Sequence, residues 1–367
     1  MKPRFIISGG GTGGHIFPAV SIAGEILRRM PEAELLFVGA QGGMEETVVP
    51  KYGYQIKSVP ISGIQRQINL RNLWRNAQFP FKLLISLSQS RRIVKSFQPQ
   101  AVIGVGGFAS GPLGRAAAGM GVPLFICEQN AYPGLVNKWL AKWAQKILLG
   151  NADAEKYFDQ RKTVVTGNPI RSFVLADRAE AVSQLGFDPQ KPVLLSLGGS
   201  LGALKINQAL LYQLPALLET DVQLFWQCGK RYFESLKPQV PEHSQLKLMP
   251  FIDNMAVAYS AADLIISRAG GSTISELIAL NKPAVLVPSP NVAEDHQTKN
   301  ALSLSEKGAA ILIKDVEAEA SLIPSALEIL QNESQLDELS QGIKAFPKHD
   351  AAKEIVDQIF KQLDLTH

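Results

Sequence analysis

The sequence predicts an α/β protein made of two parallel-sheet units, and three observations predict it. Short β-rich runs alternate with helical patterns from end to end, glycine-rich turns close several of those runs, and 367 residues is the length of about two ordinary domains. A turn signal at Gly167-Asn168-Pro169 divides the chain into domains at 1–167 and 168–350, with a terminal helical stretch, 351–367, after Pro347. In the first part strands are expected at 5–8, 35–38, 55–59, 101–105, 124–127, 147–149 and 164–166. The second part repeats the pattern at 193–197, 223–226, 246–249, 264–267, 284–287 and 310–313. Each part therefore reads as a Rossmann-like unit, parallel strands joined by crossover helices.

Composition excludes several classes. With 46% hydrophobic and 19% charged residues the chain is neither disordered nor collagenous, and it reads as a soluble globular protein. Its net charge of +4 conceals a division: residues 1–167 sum to +11 and the remainder to −7. No acidic residue occurs between Glu46 and Glu128, an interval holding ten basic ones. Such a half calls for an anionic partner, nucleic acid or an acidic membrane surface. Two cysteines, Cys127 and Cys228, lie outside any CxxC and fit a reducing compartment. Neither a signal-peptide pattern nor a bilayer-spanning run is expected. HxxxH, CxxC and Asp-x-Asp spacings are all absent, so no metal or cofactor is expected.

Four glycine loops follow strands and open helices, where backbone N–H groups and the helix dipole favour an anion. They are Gly9-Gly10-Gly11-Thr12-Gly13-Gly14-His15, Gly104 to Pro112, Gly198-Gly199-Ser200-Leu201-Gly202-Ala203, and Arg268-Ala269-Gly270-Gly271-Ser272-Thr273. Glycines that merely permit tight turns account for one or two such loops, not four. The first matches GxGxxG, yet no carboxylate ends the second strand to bind a ribose, which demotes a dehydrogenase. His15, at a helix start where the dipole favours neutral imidazole, suits a base or donor, against the plainer reading of a backbone-satisfied histidine. Thr273 and Glu276 have capping-box spacing, so Glu276 either caps its helix or accepts from a ribose diol. Arg171, just past the linker, suits bidentate phosphate contact, and Asp295-His296-Gln297 with Asn300 form a polar cluster after a strand.

Between Leu70 and Phe97 apolar residues recur at helical spacing, Pro80 interrupts, and Arg71, Arg75, Lys82, Arg91, Arg92 and Lys95 are interleaved. The bland reading is a crossover helix with a solvated basic face. Aromatic residues near the break and the lack of acids favour a patch lying on anionic lipid. No nucleic-acid-binding motif accompanies the charge.

Taken in order, these motifs resemble the MurG family of bacterial peptidoglycan N-acetylglucosaminyltransferases. The residues that carry the resemblance are Gly9–Pro18, Gly106–Pro112, Glu128-Gln129-Asn130, Gly167–Arg171, Gly198–Ala203 and Ser267–Glu276, covering essentially the whole chain. The resemblance implies the GT-B fold, two Rossmann-like domains facing a cleft, and a peripheral place on the cytoplasmic face of the inner membrane through the 66–97 segment. It implies transfer of N-acetylglucosamine from UDP-N-acetylglucosamine to the C4 hydroxyl of the muramyl sugar of lipid I, with inversion, giving lipid II. For the donor it implies Arg171, Ser200, Ile252, Ser272, Thr273, Glu276, His296 and Gln297, joined by Thr12, Gly13, Gly14 and Asn130 from the first half. For the acceptor it implies Gly11, Gly14, Gly106, Gly107, Phe108 and Ser110. His15 is the first choice for the base, supported by Glu128 and Asn130. Cys127 stands where many members carry histidine, and His296 where glutamine is frequent. A UDP-N-acetylglucosamine 2-epimerase, which shares the fold, and a non-catalytic nucleotide-sugar-binding protein are the rival readings.

Overall fold

The structure, a computed structural model, describes residues 2–63, 78–170, 173–199, 202–292 and 295–365. It falls into two compact units, Met1–Arg171 with His349–His367, and Ser172–Lys348. The first unit holds β1 (Arg4–Ser8), β2 (Glu34–Ala40), β3 (Gln55–Val59), β4 (Ala101–Gly104), β5 (Leu124–Glu128), β6 (Lys146–Leu149) and β7 (Thr163–Val165). These form one parallel sheet in the order β3-β2-β1-β4-β5-β6-β7. The second unit holds β8 (Val193–Leu197), β9 (Gln223–Gln227), β10 (Leu246–Met249), β11 (Leu264–Ser267), β12 (Ala284–Leu286) and β13 (Ile311–Leu312), parallel in the order β10-β9-β8-β11-β12-β13.

Helices cover both faces of each sheet, which is why the central strands are apolar at successive positions instead of alternating. Ile6 pairs in register with Leu36 and Val102, and Leu195 with Phe225 and Ile265; all six are buried. Each expected strand appears, with ends shifted by a residue or two. Strand order reverses between β1 and β4, and again between β8 and β11. Open α/β sheets bind ligands at such switch points, just beyond the strand C-termini. The four glycine loops follow β1, β4, β8 and β11, so each unit brings two of them to its switch point.

The terminal helix Ala351–Gln362 belongs to the first unit. Its Phe360 ring stacks on Phe5 at 6.1 Å, and Asp357 pairs with Arg29 at 2.5 Å.

Residues 66–77 of the basic, apolar stretch lie outside the described residues. The helix Phe79–Phe97 begins at the expected interruption, with Pro80 in its first turn, where its missing N–H has no intrahelical partner to lose. It joins β3 to β4 and packs Phe79 and Leu83 on the core, but its first half leaves other apolar side chains outside. Ser86 and Ser90 are buried, while Phe81, Leu84 and Ile85 are 71%, 65% and 50% exposed. Small serines let the helix pack closely on the helix Ser110–Gly119, and Ile93 and Val94 take over the inward face farther along.

Candidate active site

In the first unit β1 delivers the chain to Gly9, and the helix Gly13–Arg29 begins behind an extended Thr12 (φ −147°). The Thr12 carbonyl accepts from the N–H groups of His15 and Ile16 at 3.1 and 3.2 Å, which puts His15 at the third helical position. Its Nδ1 lies 3.0 Å from the Gly10 carbonyl oxygen. A carbonyl only accepts, so this bond places the proton on Nδ1 and makes Nε2 the basic nitrogen of the neutral ring.

The loop after β4 closes on that ring. A Cβ on Gly106 (φ +101°) would stand 2.6 Å from His15 Cδ2 and 2.8 Å from Nε2, so only glycine fits there. Gly106 is itself buried and makes room for the imidazole. Ser110 is 1% exposed, and its hydroxyl lies 2.8 Å from the Gly106 carbonyl and 3.0 Å from that of Ser8, so its side chain braces the loop. Gly11, Thr12 and Phe108 are exposed at the rim, with Gly13, Gly14 and Gly107 half-buried.

Glu128, at the end of β5, is 2% exposed and surrounded by donors. Oε1 accepts from the Asn130 N–H at 3.0 Å and its side-chain amide at 3.1 Å; Oε2 accepts from the Gly134 N–H at 3.0 Å and Asn137 Nδ2 at 2.8 Å. Four donors thus occupy both oxygens of the carboxylate, which ties Asn130 to Glu128 and orders the turn from Asn130 to Asn137. Cys127 packs in the core, and burial, with the Glu128 charge next to it, pushes its thiol up to about 12. It is no substitute for a histidine base.

Sequence reasoning missed Glu45. This side chain is fully buried under the first glycine loop, where Oε2 accepts from the Gly11 N–H at 2.9 Å and Oε1 from the Ala40 N–H at 2.8 Å. The signal was present in Gly10, Gly39 and Gly43, at each of which a Cβ would overlap the Glu45 side chain. The carboxylate lies five residues beyond the end of the second strand, past the position where a ribose-binding acid would stand.

The second unit uses different braces. Gln227 Nε2 donates to the Gly199 carbonyl at 2.9 Å and its Oε1 accepts from the Gly199 N–H at 3.2 Å, fixing the loop after β8. Asn300 Nδ2 donates to the Ala269 carbonyl at 3.0 Å and ties the helix His296–Ser305 to the loop after β11. The Arg268 guanidinium pairs with Asp315 and also donates to the Val287 and Pro288 carbonyls at 3.1 and 3.2 Å. Gln297 Oε1 accepts from the Ser289 N–H at 2.9 Å, while His296 opens its helix half-buried.

The capping box does not form. The helix Gly271–Leu280 is capped by Gly270, so Ser272 and Thr273 lie in its first turn and Glu276 in its second. Glu276, 9% exposed, accepts instead from the Tyr259 hydroxyl at 2.6 Å. Ile252 is buried and, with Phe251, Met249, Phe225 and Asn254, lines a cavity of about 270 Å³ beyond β10. Arg171 and Ser200 lie outside the described residues.

Comparison with known proteins matches residues 5–149 to the glycosyltransferase family 28 N-terminal domain and 193–355 to the family's C-terminal domain. A Bacteroides fragilis protein named UDP-N-acetylglucosamine--N-acetylmuramyl-(pentapeptide) pyrophosphoryl-undecaprenol N-acetylglucosamine transferase is 49% identical over 98% of this chain and 95% of its own. The chain belongs to glycosyltransferase family 28. The family resemblance read from the motifs is thereby borne out, and the two parallel α/β units are those of a GT-B fold. The crystal structure of Acinetobacter baumannii MurG, a family member, matches with a TM-score of 0.76 at 29% identity, over 98% of this chain and 100% of that one. A putative UDP-N-acetylglucosamine 2-epimerase from Listeria monocytogenes reaches 0.69 at 14% identity, over 100% of this chain and 98% of that one, and shares the fold alone.

Proposed function

We propose that this chain transfers N-acetylglucosamine from UDP-N-acetylglucosamine to the muramyl C4 hydroxyl of lipid I, with inversion, forming lipid II. The observation that carries the reading is 49% identity over nearly the whole length to a transferase of that name, combined with a histidine at the first unit's switch point. In the reaction the acceptor oxygen forms a bond to the anomeric carbon as the bond from that carbon to the UDP oxygen breaks. His15 Nε2 takes the hydroxyl proton, and UDP departs carrying the electron pair. The first turn of the helix Gly271–Leu280, with Ser272 and Thr273, supplies N–H groups and the positive helix end for the developing phosphate charge, with Arg171 and Ser200 as further donors. Glu276 accepts from the ribose, the backbone at Ile252 reads the base, and His296 and Gln297 meet the sugar. The acceptor meets the first unit at Gly11, Gly14, Gly107 and Phe108.

Incubating the protein with labelled UDP-N-acetylglucosamine, a lipid I analogue and a chelator tests this. A β-linked disaccharide product is expected. Release of UDP-N-acetylmannosamine without acceptor would establish the epimerase instead, and donor binding with no transfer would leave a binding protein.

Membrane contact belongs to the same proposal. Among the described residues no helix is long and apolar enough to cross a bilayer. The outward Phe81, Leu84 and Ile85, with the exposed Arg91, Arg92 and Lys95 on the same helix, suit insertion beside anionic headgroups. Phe81→Ser with Leu84→Ser should abolish sedimentation with vesicles containing acidic lipid while leaving UDP binding intact; unchanged sedimentation would refute the contact.

A further inference from the structure

One peptide group joins Glu45 and His15. The N–H of Gly11 and the C=O of Gly10 are two ends of the same amide plane. Glu45 Oε2 accepts from that N–H at 2.9 Å, and the carbonyl at the other end accepts from His15 Nδ1 at 3.0 Å. We infer that Glu45 is a positioning residue for His15, acting through the Gly10–Gly11 peptide to hold the imidazole in its Nδ1–H form with Nε2 as the basic atom. The inference rests on the reading of His15 as the base and deepens it.

Three features carry it. Hydrogen bonds in series polarise one another, so a carboxylate on the N–H end makes the carbonyl end a stronger acceptor for the imidazole proton. Glu45 is also fixed in place: its other oxygen accepts from the Ala40 N–H at 2.8 Å, and Gly10, Gly39 and Gly43 form a cradle with no room for a Cβ. Finally, the peptide has no other way to turn. Rotating it to offer its oxygen to Glu45 would set two acceptors face to face and remove the His15 partner. An imidazole oriented by a carboxylate on the far side from its reactive nitrogen is a common catalytic arrangement; here the two groups are linked by backbone.

The test is Glu45→Gln. An amide has one accepting oxygen, so its NH2 group must face either Gly11 N–H or Ala40 N–H, donor against donor. Ring 15N shifts of His15, assigned by their absence in His15→Ala, report which nitrogen carries the proton. The Nδ1–H signature should weaken in Glu45→Gln, and kcat should fall about tenfold, the lower end for loss of an outer partner of a working histidine, with the donor KM unchanged. If that variant does not fold, Gly43→Ala makes the same measurement: its Cβ would lie 2.5 Å from the Glu45 carboxyl carbon and displace the group without altering its charge. Wild-type His15 shifts in a folded variant would overturn the inference whatever happens to activity. Full turnover by His15→Ala would instead refute the base, and the shifts would still decide the coupling.

Discussion

The two units share one strand order over six strands, to which the first adds a seventh at one edge, and each has a pair of glycine loops at the switch point, but they brace those loops differently. In the first unit a carboxylate, Glu45, lies under the loop after β1 and takes up the N–H groups of Gly11 and Ala40, while the loop after β4 is tied by its carbonyls, Gly106 to the Ser110 hydroxyl and Val105 to the Gln129 amide. In the second the amides of Gln227 and Asn300 chiefly take up carbonyls, those of Gly199 and Ala269, and the nearest carboxylate in a brace, Asp315, is matched by Arg268. A carboxylate under a loop repels an anion above it, while a tied-back carbonyl removes a repulsive dipole from an anion site. The contrast therefore lies at the loop after β1, which has a carboxylate beneath it, and it accords with the proposed base at His15 there and the proposed phosphate site in the second unit. In the proposed function the half of the sequence with net charge −7 serves the nucleotide through local dipoles, not through the sum.

Substitutions break this contrast in order of size. His15→Ala should lower kcat by about 10²–10⁴, the usual contribution of a general base, with the donor KM nearly unchanged. A matching fall in donor affinity would mean that the first loop holds the nucleotide. Glu276→Ala should raise the donor KM about 10- to 100-fold, as expected for a lost hydrogen bond to a charged group worth about 1.5–3 kcal/mol, and leave the acceptor KM alone. Glu128→Gln should act on stability first: with one accepting oxygen among four donors, it should cost about 1–3 kcal/mol and depress Tm while turnover per folded molecule stays close to normal. A large kcat loss at unchanged Tm would give Glu128 a catalytic part.

Much of this was legible in sequence, for local reasons. Strands buried on both faces are short apolar runs, and a glycine loop after such a run marks a switch point without reference to the rest of the chain. What escaped depends on contacts distant in sequence. Glu45 meets a peptide 34 residues before it. Ser110 looks like a loop hydroxyl until the carbonyl of Ser8, 102 residues away, is found beside it. Glu276 has capping-box spacing, and only the true helix start at Gly271 shows that Tyr259 is its partner. The helix Phe79–Phe97 has a clear period, but period alone does not say which face turns inward, and here the serines do.

Calorimetric titration of UDP into wild type, Glu276→Ala and His15→Ala tests the division of labour most directly. Unchanged affinity in the His15 variant and a loss of tenfold or more in the Glu276 variant are the outcome expected from a hydrogen bond of about 1.5 kcal/mol or stronger. The reverse pattern, or equal losses in both, would contradict a base at the loop after β1 and a nucleotide site in the second unit.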